Sequence, residues 1–228
     1  MKFIRYCFCC LLMLITVNCS VFAANVDYYM KIIFVGNYSS GKTSIWKRLK
    51  GAGYDSTEQR SDFMQSDYFI ENVDGNNVEF KIWDTAGADK YYNEVVEFTK
   101  EANLVFIVHD ISAPFDDSAS PYLERIYRDI YNKIRPDGRI MFIGSKYDKR
   151  HQKIVNASKQ VKLLKSVAQL SDSSFTLTSS KENRGIQDLK EFIIESSKSM
   201  ELYSQDPDKG INIKEFSVND KKDFCTLL

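Results

Sequence analysis

Short apolar runs alternate with amphipathic helical patterns along the body of this chain. A run of about four to eight apolar residues is typical of a strand that is buried on both faces of a parallel sheet. Such runs lie within residues 31–36, 104–108 and 140–143, and a weaker one occupies residues 175–178. Two groups of apolar residues have helical spacing instead: Leu123, Ile126, Tyr127, Ile130 and Ile134, and then Ile186, Leu189, Phe192 and Ile193.

Another strand is predicted where apolar and polar residues alternate. Val78, Phe80 and Ile82 share one face of this strand, and the Asp74-Gly75 pair before it is typical of a hairpin turn. A chain in which strands and helices alternate builds an α/β domain. We therefore predict a mostly parallel six-stranded sheet with helices on both faces. In such a sheet, ligands bind at the carboxyl ends of the strands.

The composition is typical of a soluble globular protein and limits the classes of partner. The 228 residues, 43% hydrophobic and 27% charged, suffice for one well-buried domain with short appendages. The 31 Lys and Arg residues balance the 31 Asp and Glu residues, so we expect no nucleic-acid partner. The five cysteines lie within residues 7–19 and at Cys225, which excludes a disulfide framework in the body of the chain.

Residues 1–24 have the features of a secretory signal peptide or, as a second interpretation, of an uncleaved hydrophobic anchor. Lys2 and Arg5 precede an apolar run, and small residues around Ala23 offer a cleavage site. The run is short for a membrane-spanning helix, which needs about 20 apolar residues. A third interpretation places the start of translation at Met30, directly before the globular pattern.

The C-terminal segment, residues 199–228, is predicted to be a flexible tail that ends in a CaaX-like box. Cys225 and the three residues after it fit a prenylation signal, and the final Leu favours a geranylgeranyl group. The two ends conflict, because a Sec-exported protein does not normally meet a cytosolic prenyltransferase. Either one signal is false, or the protein is secreted first and then lipidated in the cytosol of another cell.

A glycine-rich loop follows the first predicted strand and leads into a helical segment. Its pattern, Gly36-x-x-x-x-Gly41-Lys42-Thr43, is that of a P-loop NTPase fold. Glycine lets backbone N–H groups curl around phosphate oxygens at a helix N-terminus. Lys42 adds positive charge at the β- and γ-phosphates, and the Thr43 hydroxyl is a magnesium ligand. The predicted nucleotide-binding residues of this loop are Gly36, Asn37, Tyr38, Ser39, Ser40, Gly41, Lys42, Thr43 and Ser44.

A second candidate loop, residues 84–87, follows the alternating strand. The Asp84 carboxylate at this strand end can hold magnesium through water. Gly87 has no Cβ, so its backbone N–H can approach a γ-phosphate. This loop therefore predicts a second contact to the metal and to the phosphates.

A third candidate loop, Ser145-Lys146-Tyr147-Asp148, follows the apolar run at residues 140–143. The Asp148 carboxylate can accept hydrogen bonds from N1–H and the exocyclic amino group of guanine. Adenine has an acceptor at N1 and would leave a buried polar group unpaired. The Lys146 stem can lie along the face of the base. This loop therefore predicts selection of guanine.

In this order, the three loops resemble those of the Ras superfamily of small GTPases, with Rab as the most similar branch. The resemblance covers residues 31–197. The sequence of residues 80–87 and Tyr91 is similar to that of Rab proteins. Ser179, Ser180 and Lys181 match the family's loop behind the base. The resemblance implies a monomeric switch domain over residues 30–198 that binds GTP or GDP with Mg²⁺ and hydrolyses GTP.

The resemblance also implies partners and a location. Effectors and exchange factors would bind through two segments, switch I around Ser61 and switch II around Ala88. A role in vesicle or membrane trafficking is implied, on the cytosolic face of a membrane. The attachment would be a prenyl group or the N-terminal segment, and the protein would be secreted first if that segment is a signal peptide.

The sequence departs from this family at several site positions. Ala88 stands where the family has the glutamine that orients the attacking water, so we expect slow hydrolysis and no certain catalytic residue. Tyr38 replaces a small residue and either crowds an incoming arginine finger or folds over the γ-phosphate. Ser61 stands where switch I has a magnesium-binding Thr, with Thr57 as the alternative. Ser145 replaces an Asn, which predicts a loss of scaffolding in the base loop.

Three functions are therefore weighed. The first is a slow GTP/GDP switch, and the second is a scaffold or pseudo-GTPase that holds GTP without hydrolysing it. The third is a P-loop kinase or adenine NTPase, which would share residues 36–43 but would not need residues 145–148. We favour the first over the second, and both over the third.

Overall fold

The computed structural model describes residues 25–57, 64–87, 91–114, 119–151, 154–171 and 173–209. Both predicted terminal signals, residues 1–24 and Cys225, lie outside the described residues, and so do Ser61 and Ala88. Within the described ranges, no helix is both long enough and apolar enough to cross a membrane.

Strands and helices alternate along the chain as the apolar pattern predicts. The strands are β1 (Tyr28–Val35), β2 (Gln65–Val73), β3 (Asn76–Asp84), β4 (Leu104–Asp110), β5 (Arg139–Ser145) and β6 (Ser174–Leu177). The helices are α1 (Lys42–Leu49), α2 (Tyr92–Phe98), α3 (Ala119–Tyr131), α4 (Ile154–Leu170) and α5 (Ile186–Ser197), and a 3-10 helix spans Tyr147–His151.

The six strands form one sheet in the order β2-β3-β1-β4-β5-β6. Only the edge strand β2 is antiparallel to its neighbour; the other pairs are parallel. The predicted turn joins β2 to β3, and Asp74 and Gly75 both have positive φ, as a tight two-residue hairpin turn requires. The predicted fold class is thus confirmed.

Each face of the sheet carries its own apolar core, because successive side chains of a strand point to opposite faces. On one face, Ile32 and Phe34 of β1 pack with residues of α1 and α5 such as Ile45 and Leu189. The core on the other face contains residues from β1, β3, α2, α3 and α4: Ile33, Val35, Trp83, Val95, Leu123, Ile126 and Leu164. Both cores hold the carboxyl ends of β1, β3, β4 and β5 at one edge, where all three predicted loops begin.

The packed unit extends beyond both predicted boundaries of the switch domain. Before Met30, the Asp27 carboxylate accepts a hydrogen bond from the Asn77 backbone, and Tyr29 pairs with Tyr203 in an antiparallel bridge. After Ser197, residues 199–209 of the predicted flexible tail include two buried side chains, since Met200 is 8% and Asp208 is 5% exposed. Since these segments contact each other and the sheet, the boundaries at residues 30 and 198 fall inside the folded unit.

Candidate functional site

The backbone conformation of the P-loop depends on two glycines, Gly36 and Gly41. Gly36 has φ +140°, and a Cβ there would lie 2.1 Å from the carbonyl O of Val108 on β4. Gly41 has φ +97° and caps α1 without a side-chain hydrogen bond. Because glycine has no side chain, Gly41 gives the first backbone N–H groups of α1 no side-chain hydrogen-bond acceptor. A loop of this form leaves backbone donors for an anion at the positive end of the helix.

Lys42 is the buried cation of this loop. Its side chain turns back and donates hydrogen bonds to the carbonyl O of Gly36 at 3.0 Å and of Asn37 at 3.2 Å. Burial lowers the pKa of Lys42, while the charge of Asp84 partly offsets that effect. A phosphate group would supply the negative charge that this buried ammonium group needs.

The predicted metal ligands of the first two loops lie against each other. Thr43 Oγ1 donates a short hydrogen bond to Asp84 Oδ2, and the Trp46 indole N–H donates to the same oxygen at 3.3 Å. Asp84 is 2% exposed. Magnesium prefers oxygen ligands and is usually held by one or two protein groups together with phosphate and water. A hydroxyl and a carboxylate beside a buried lysine fit that requirement.

Gly87 brings the second loop against the P-loop. A Cβ at Gly87 would lie 2.5 Å from the backbone N of Tyr38, so only glycine allows this approach. The two loops line one pocket, and the Tyr38 side chain at this pocket is 39% exposed. The lining residues are Tyr38, Ser39, Ser40, Gly41, Lys42, Thr43, Ser44, Tyr54, Asp55, Ser56, Asp84, Thr85, Gly87 and Lys146.

The third loop is tied to the P-loop through Ser145. Its hydroxyl lies 2.5 Å from the carbonyl O of Ser40 and 3.1 Å from that of His109. The serine thus connects the two loops, and a partial loss of scaffolding relative to the family's Asn stays a prediction. Lys146 has φ +58°, and its ammonium group lies 2.7 Å from the Asp110 carboxylate.

Asp148 lies at the start of the 3-10 helix and is held by the loop after β6. Ser179 Oγ donates to Asp148 Oδ1 at 2.8 Å, and its oxygen also accepts the Glu182 backbone N–H at 3.1 Å. Ser180 and Lys181 contribute carbonyl oxygens, which accept hydrogen bonds from Arg48 of α1 at 2.6 and 3.4 Å. Arg48 thus links the first helix of the site to the loop that supports Asp148.

The structure adds contacts that the sequence motifs did not reveal. Asp110, at the end of β4, holds Lys146, and the sole signal was a carboxylate at the carboxyl end of a predicted strand. Burial favours the neutral form of Asp110, but hydrogen bonds from Lys146 and Ser112 hold its pKa below the usual value. Thr57, the alternative metal ligand, donates its hydroxyl to Asp55 at 2.7 Å.

These features define a P-loop α/β protein whose pocket lies at the carboxyl ends of parallel strands. The model of the Ras family matches residues 31–199. The chain belongs to the Ras family, and at the level of that family its function is that of a GTP-binding switch protein.

The chain is similar to several Ras-related proteins. It is 26% identical over 197 residues to Ras-related protein Rab-19 of Rattus norvegicus, an alignment that covers 82% of this chain and 85% of the relative. It is 27% identical over 149 residues to Ras-related protein Rab-26 of Homo sapiens, covering 61% and 55%. It is 23% identical over 162 residues to Ras-related protein Rab-4 of Dictyostelium discoideum, covering 71% and 76%. The similarity to Rab proteins agrees with the predicted branch.

Proposed function

We propose that this protein is a GTP/GDP switch with magnesium at its phosphate site and slow hydrolysis of GTP. The observation that carries the proposal is the meeting of three loops at one edge of the sheet. The P-loop, the Asp84–Gly87 loop and the Lys146–Asp148 loop contact each other or share a pocket. Family membership supports the same function.

Different side chains of the site would bind the phosphates, the magnesium ion and the guanine base. Lys42 and the backbone N–H groups after Gly41 would bind the β- and γ-phosphates. Thr43 and Asp84 would hold magnesium, which supplies positive charge to the phosphates when bound. Asp148, held by Ser179, would accept the two guanine donors, and the Lys146 stem would cover the base. Adenine would leave the Asp148 carboxylate poorly paired.

Slow hydrolysis of GTP is expected from the residues at two positions, Ala88 and Tyr38. Hydrolysis needs a positioned water and stabilisation of the charge at the γ-phosphate. The methyl group of Ala88 cannot orient water, and the Tyr38 side chain stands at the pocket that an arginine finger would enter. The alternative function is a scaffold that keeps GTP bound without hydrolysing it. It differs from the slow switch only in the rate of GTP hydrolysis, which would be close to zero.

Recruitment of partners and membrane association complete the proposal. We infer that effectors and exchange factors bind a monomer through switch I and switch II. A role in vesicle or membrane trafficking is supported by the similarity to Rab proteins. Cys225 is the candidate lipidation site, and the N-terminal segment is the alternative membrane signal.

A switch requires two conformations that the γ-phosphate distinguishes. We expect hydrogen–deuterium exchange to differ between the GDP form and the form bound to a non-hydrolysable GTP analogue. The difference should be largest in the expected switch segments, residues 54–64 and 85–98, which depend on the γ-phosphate for their contacts. It should be smaller in the P-loop, because Lys42 and the backbone N–H groups there contact the β-phosphate in both forms. Strand β5 is the internal control and should exchange equally in both forms. Identical exchange everywhere would contradict a switch and favour a permanently loaded scaffold.

A further inference from the structure

Two lysines lie side by side on one face of the central sheet, away from the nucleotide pocket. Lys31 of β1 and Lys81 of β3 are partners in the parallel register, and the next pair along the same face is Ile33 with Trp83. Lys31 is 5% exposed. Neighbouring like charges destabilise a sheet, and a buried charge is costly unless it is paired. This face therefore requires carboxylates from elsewhere in the chain or from another molecule.

The required carboxylates come from residues 203–209, which we call the acidic strap. Asp206 accepts hydrogen bonds from Lys81 Nζ at 2.7 and 2.9 Å. Asp208 lies 3.0 Å from Lys31 Nζ, and its other carboxylate oxygen accepts a 2.7 Å hydrogen bond from the Trp83 indole N–H. The site beneath the strap is thus a receptor with two ammonium groups and one indole donor, and it binds two carboxylates that are separated by one intervening residue.

The two ends of the strap are held differently. Tyr203 is anchored by two backbone hydrogen bonds to Tyr29 and donates its hydroxyl to the Glu101 carbonyl O, whereas Asp206 and Asp208 are held by the side-chain contacts above. Apart from the Tyr29–Tyr203 bridge, its residues belong to no strand or helix, and a turn places the Asp208 N–H 2.9 Å from Asp206 Oδ1. Burial favours the neutral form of Asp206, but hydrogen bonds from Lys81 and the Asp208 N–H hold its pKa below the usual value. The Asp206 carboxyl group is therefore ionised, and negatively charged, at neutral pH.

The fit between strap and receptor is imperfect in two ways. Asp208 Oδ1 is buried and, among the described residues, receives no hydrogen bond of good geometry, although Lys31 lies 3.0 Å away. Glu79 lies on β3 two residues before Lys81; burial raises its pKa, Lys81 lowers it and the negative charge of Asp206 raises it further. A buried carboxylate oxygen that receives no hydrogen bond and a nearby like charge both weaken the hold of the strap.

The receptor adjoins the second switch. Trp83 immediately precedes Asp84 of the metal site and packs edge-on against Phe98 of α2, with ring centroids 4.7 Å apart. Lys31 Nζ lies 4.2 Å from the centroid of the same Phe98 ring. An occupant of this face therefore contacts β3 directly and is connected to α2 through Trp83 and Lys31. These two elements flank the Asp84–Gly87 loop.

We propose that the Lys31–Lys81–Trp83 face is a docking site for an extended Asp-x-Asp segment of a partner protein, and that the acidic strap is its built-in competitor. Exchange of one acidic segment for another conserves the ion pairs and the desolvation they require, so the net cost of opening is small. A tethered competitor has an effective concentration on the order of millimolar, which lowers the apparent affinity of any partner. This proposal does not depend on nucleotide binding.

The test uses the full chain and a labelled peptide with the strap sequence Tyr-Ser-Gln-Asp-Pro-Asp-Lys. Fluorescence anisotropy should show that the Asp206→Asn, Asp208→Asn double variant binds this peptide about ten-fold or more tightly than the wild type, because its own strap competes poorly. The matched control peptide, with Asn at both Asp positions, should bind neither protein. Adding Lys81→Gln to the double variant should abolish binding of the acidic peptide.

A second measurement covers the case in which the double variant does not fold. In the wild-type chain, an excess of the acidic peptide should increase hydrogen exchange at the backbone amides of Asp206, Asp208 and Lys209, and the Asn peptide should leave them unchanged. If neither protein binds the acidic peptide, or if the Asn peptide binds equally well, the docking site does not exist. Binding that survives Lys81→Gln would likewise overturn it.

Discussion

Replacing Asp148 by Asn is expected to lower the affinity for GDP by about 10²-fold or more. The carboxylate would accept two hydrogen bonds from guanine, whereas the Asn amide offers one acceptor and places an NH₂ group against a second donor. A hydrogen bond to a charged group contributes about 1.5–3 kcal/mol, and about 1.4 kcal/mol corresponds to a ten-fold change in affinity. Displacement of a fluorescent GDP analogue would measure the loss.

Two controls separate a loss of recognition from a loss of folding. Xanthine has a carbonyl group where guanine has the exocyclic amino group, so the amide introduced by Asp148→Asn can pair with it. This variant should therefore bind xanthosine diphosphate better than GDP. Ser179→Ala removes only the hydroxyl that holds Asp148 at 2.8 Å, and it should weaken GDP binding by less than Asp148→Asn. An Asp148→Asn protein that keeps wild-type affinity for GDP would show that this carboxylate does not contact the base.

Replacing Ala88 by Gln is expected to accelerate single-turnover hydrolysis of GTP, on the order of 10²-fold where the new amide can reach the attacking water. Tyr38 lines the nucleotide pocket and restricts the space at the γ-phosphate. We therefore expect the full gain in the Ala88→Gln, Tyr38→Gly double variant and a smaller gain in Ala88→Gln alone. Phosphate release from a GTP-loaded protein would give the rates.

The matched control for hydrolysis is Tyr38→Gly alone. It should open the pocket without restoring a water-orienting group, so its rate should stay near that of the wild type. A wild-type rate equal to that of a glutamine-bearing relative would show that Ala88 is not at the catalytic position. It would also show that our alignment of switch II is wrong.

The sequence pattern predicted most of the sheet because its central strands are buried on both faces. Strands β1, β4 and β5 consist almost entirely of buried residues and therefore appear as continuous apolar runs. The edge strand β2 gave no such signal, since most of its side chains are exposed or half-buried and Tyr68 is 52% exposed. Its position follows instead from the hairpin turn and from the stacking of Phe69 on Phe80, with ring centroids 4.9 Å apart.

Helices were predicted where one face is clearly apolar. Leu123, Ile126 and Ile130 form the buried face of α3, as their spacing indicates. The pattern did not reveal α2, which is only 7 residues long. It also missed α4, in which Leu163 and Leu164 are adjacent and blur the helical period.

The site was predictable where residues close in sequence act together, and not where distant segments meet. The P-loop and the Asp84–Gly87 loop are local patterns, and the structure places them in one pocket. Contacts such as Lys146 with Asp110, or Arg48 with Ser180, join residues far apart in the chain and leave no local signature. The acidic strap had no signal in the sequence, where the tail is simply a polar segment. Its contact between Asp208 and Lys31 joins residues from opposite ends of the folded unit.

Competitive titration of the wild-type protein with GDP and ADP in the presence of Mg²⁺ distinguishes a guanine-nucleotide site built from the three loops from an adenine-nucleotide site. The bound base would cover the half-buried Asp148 carboxylate, and leaving it unpaired there costs about 1–3 kcal/mol or more. The account therefore predicts a preference for GDP of about 10²-fold or greater. Comparable affinities for GDP and ADP would contradict it.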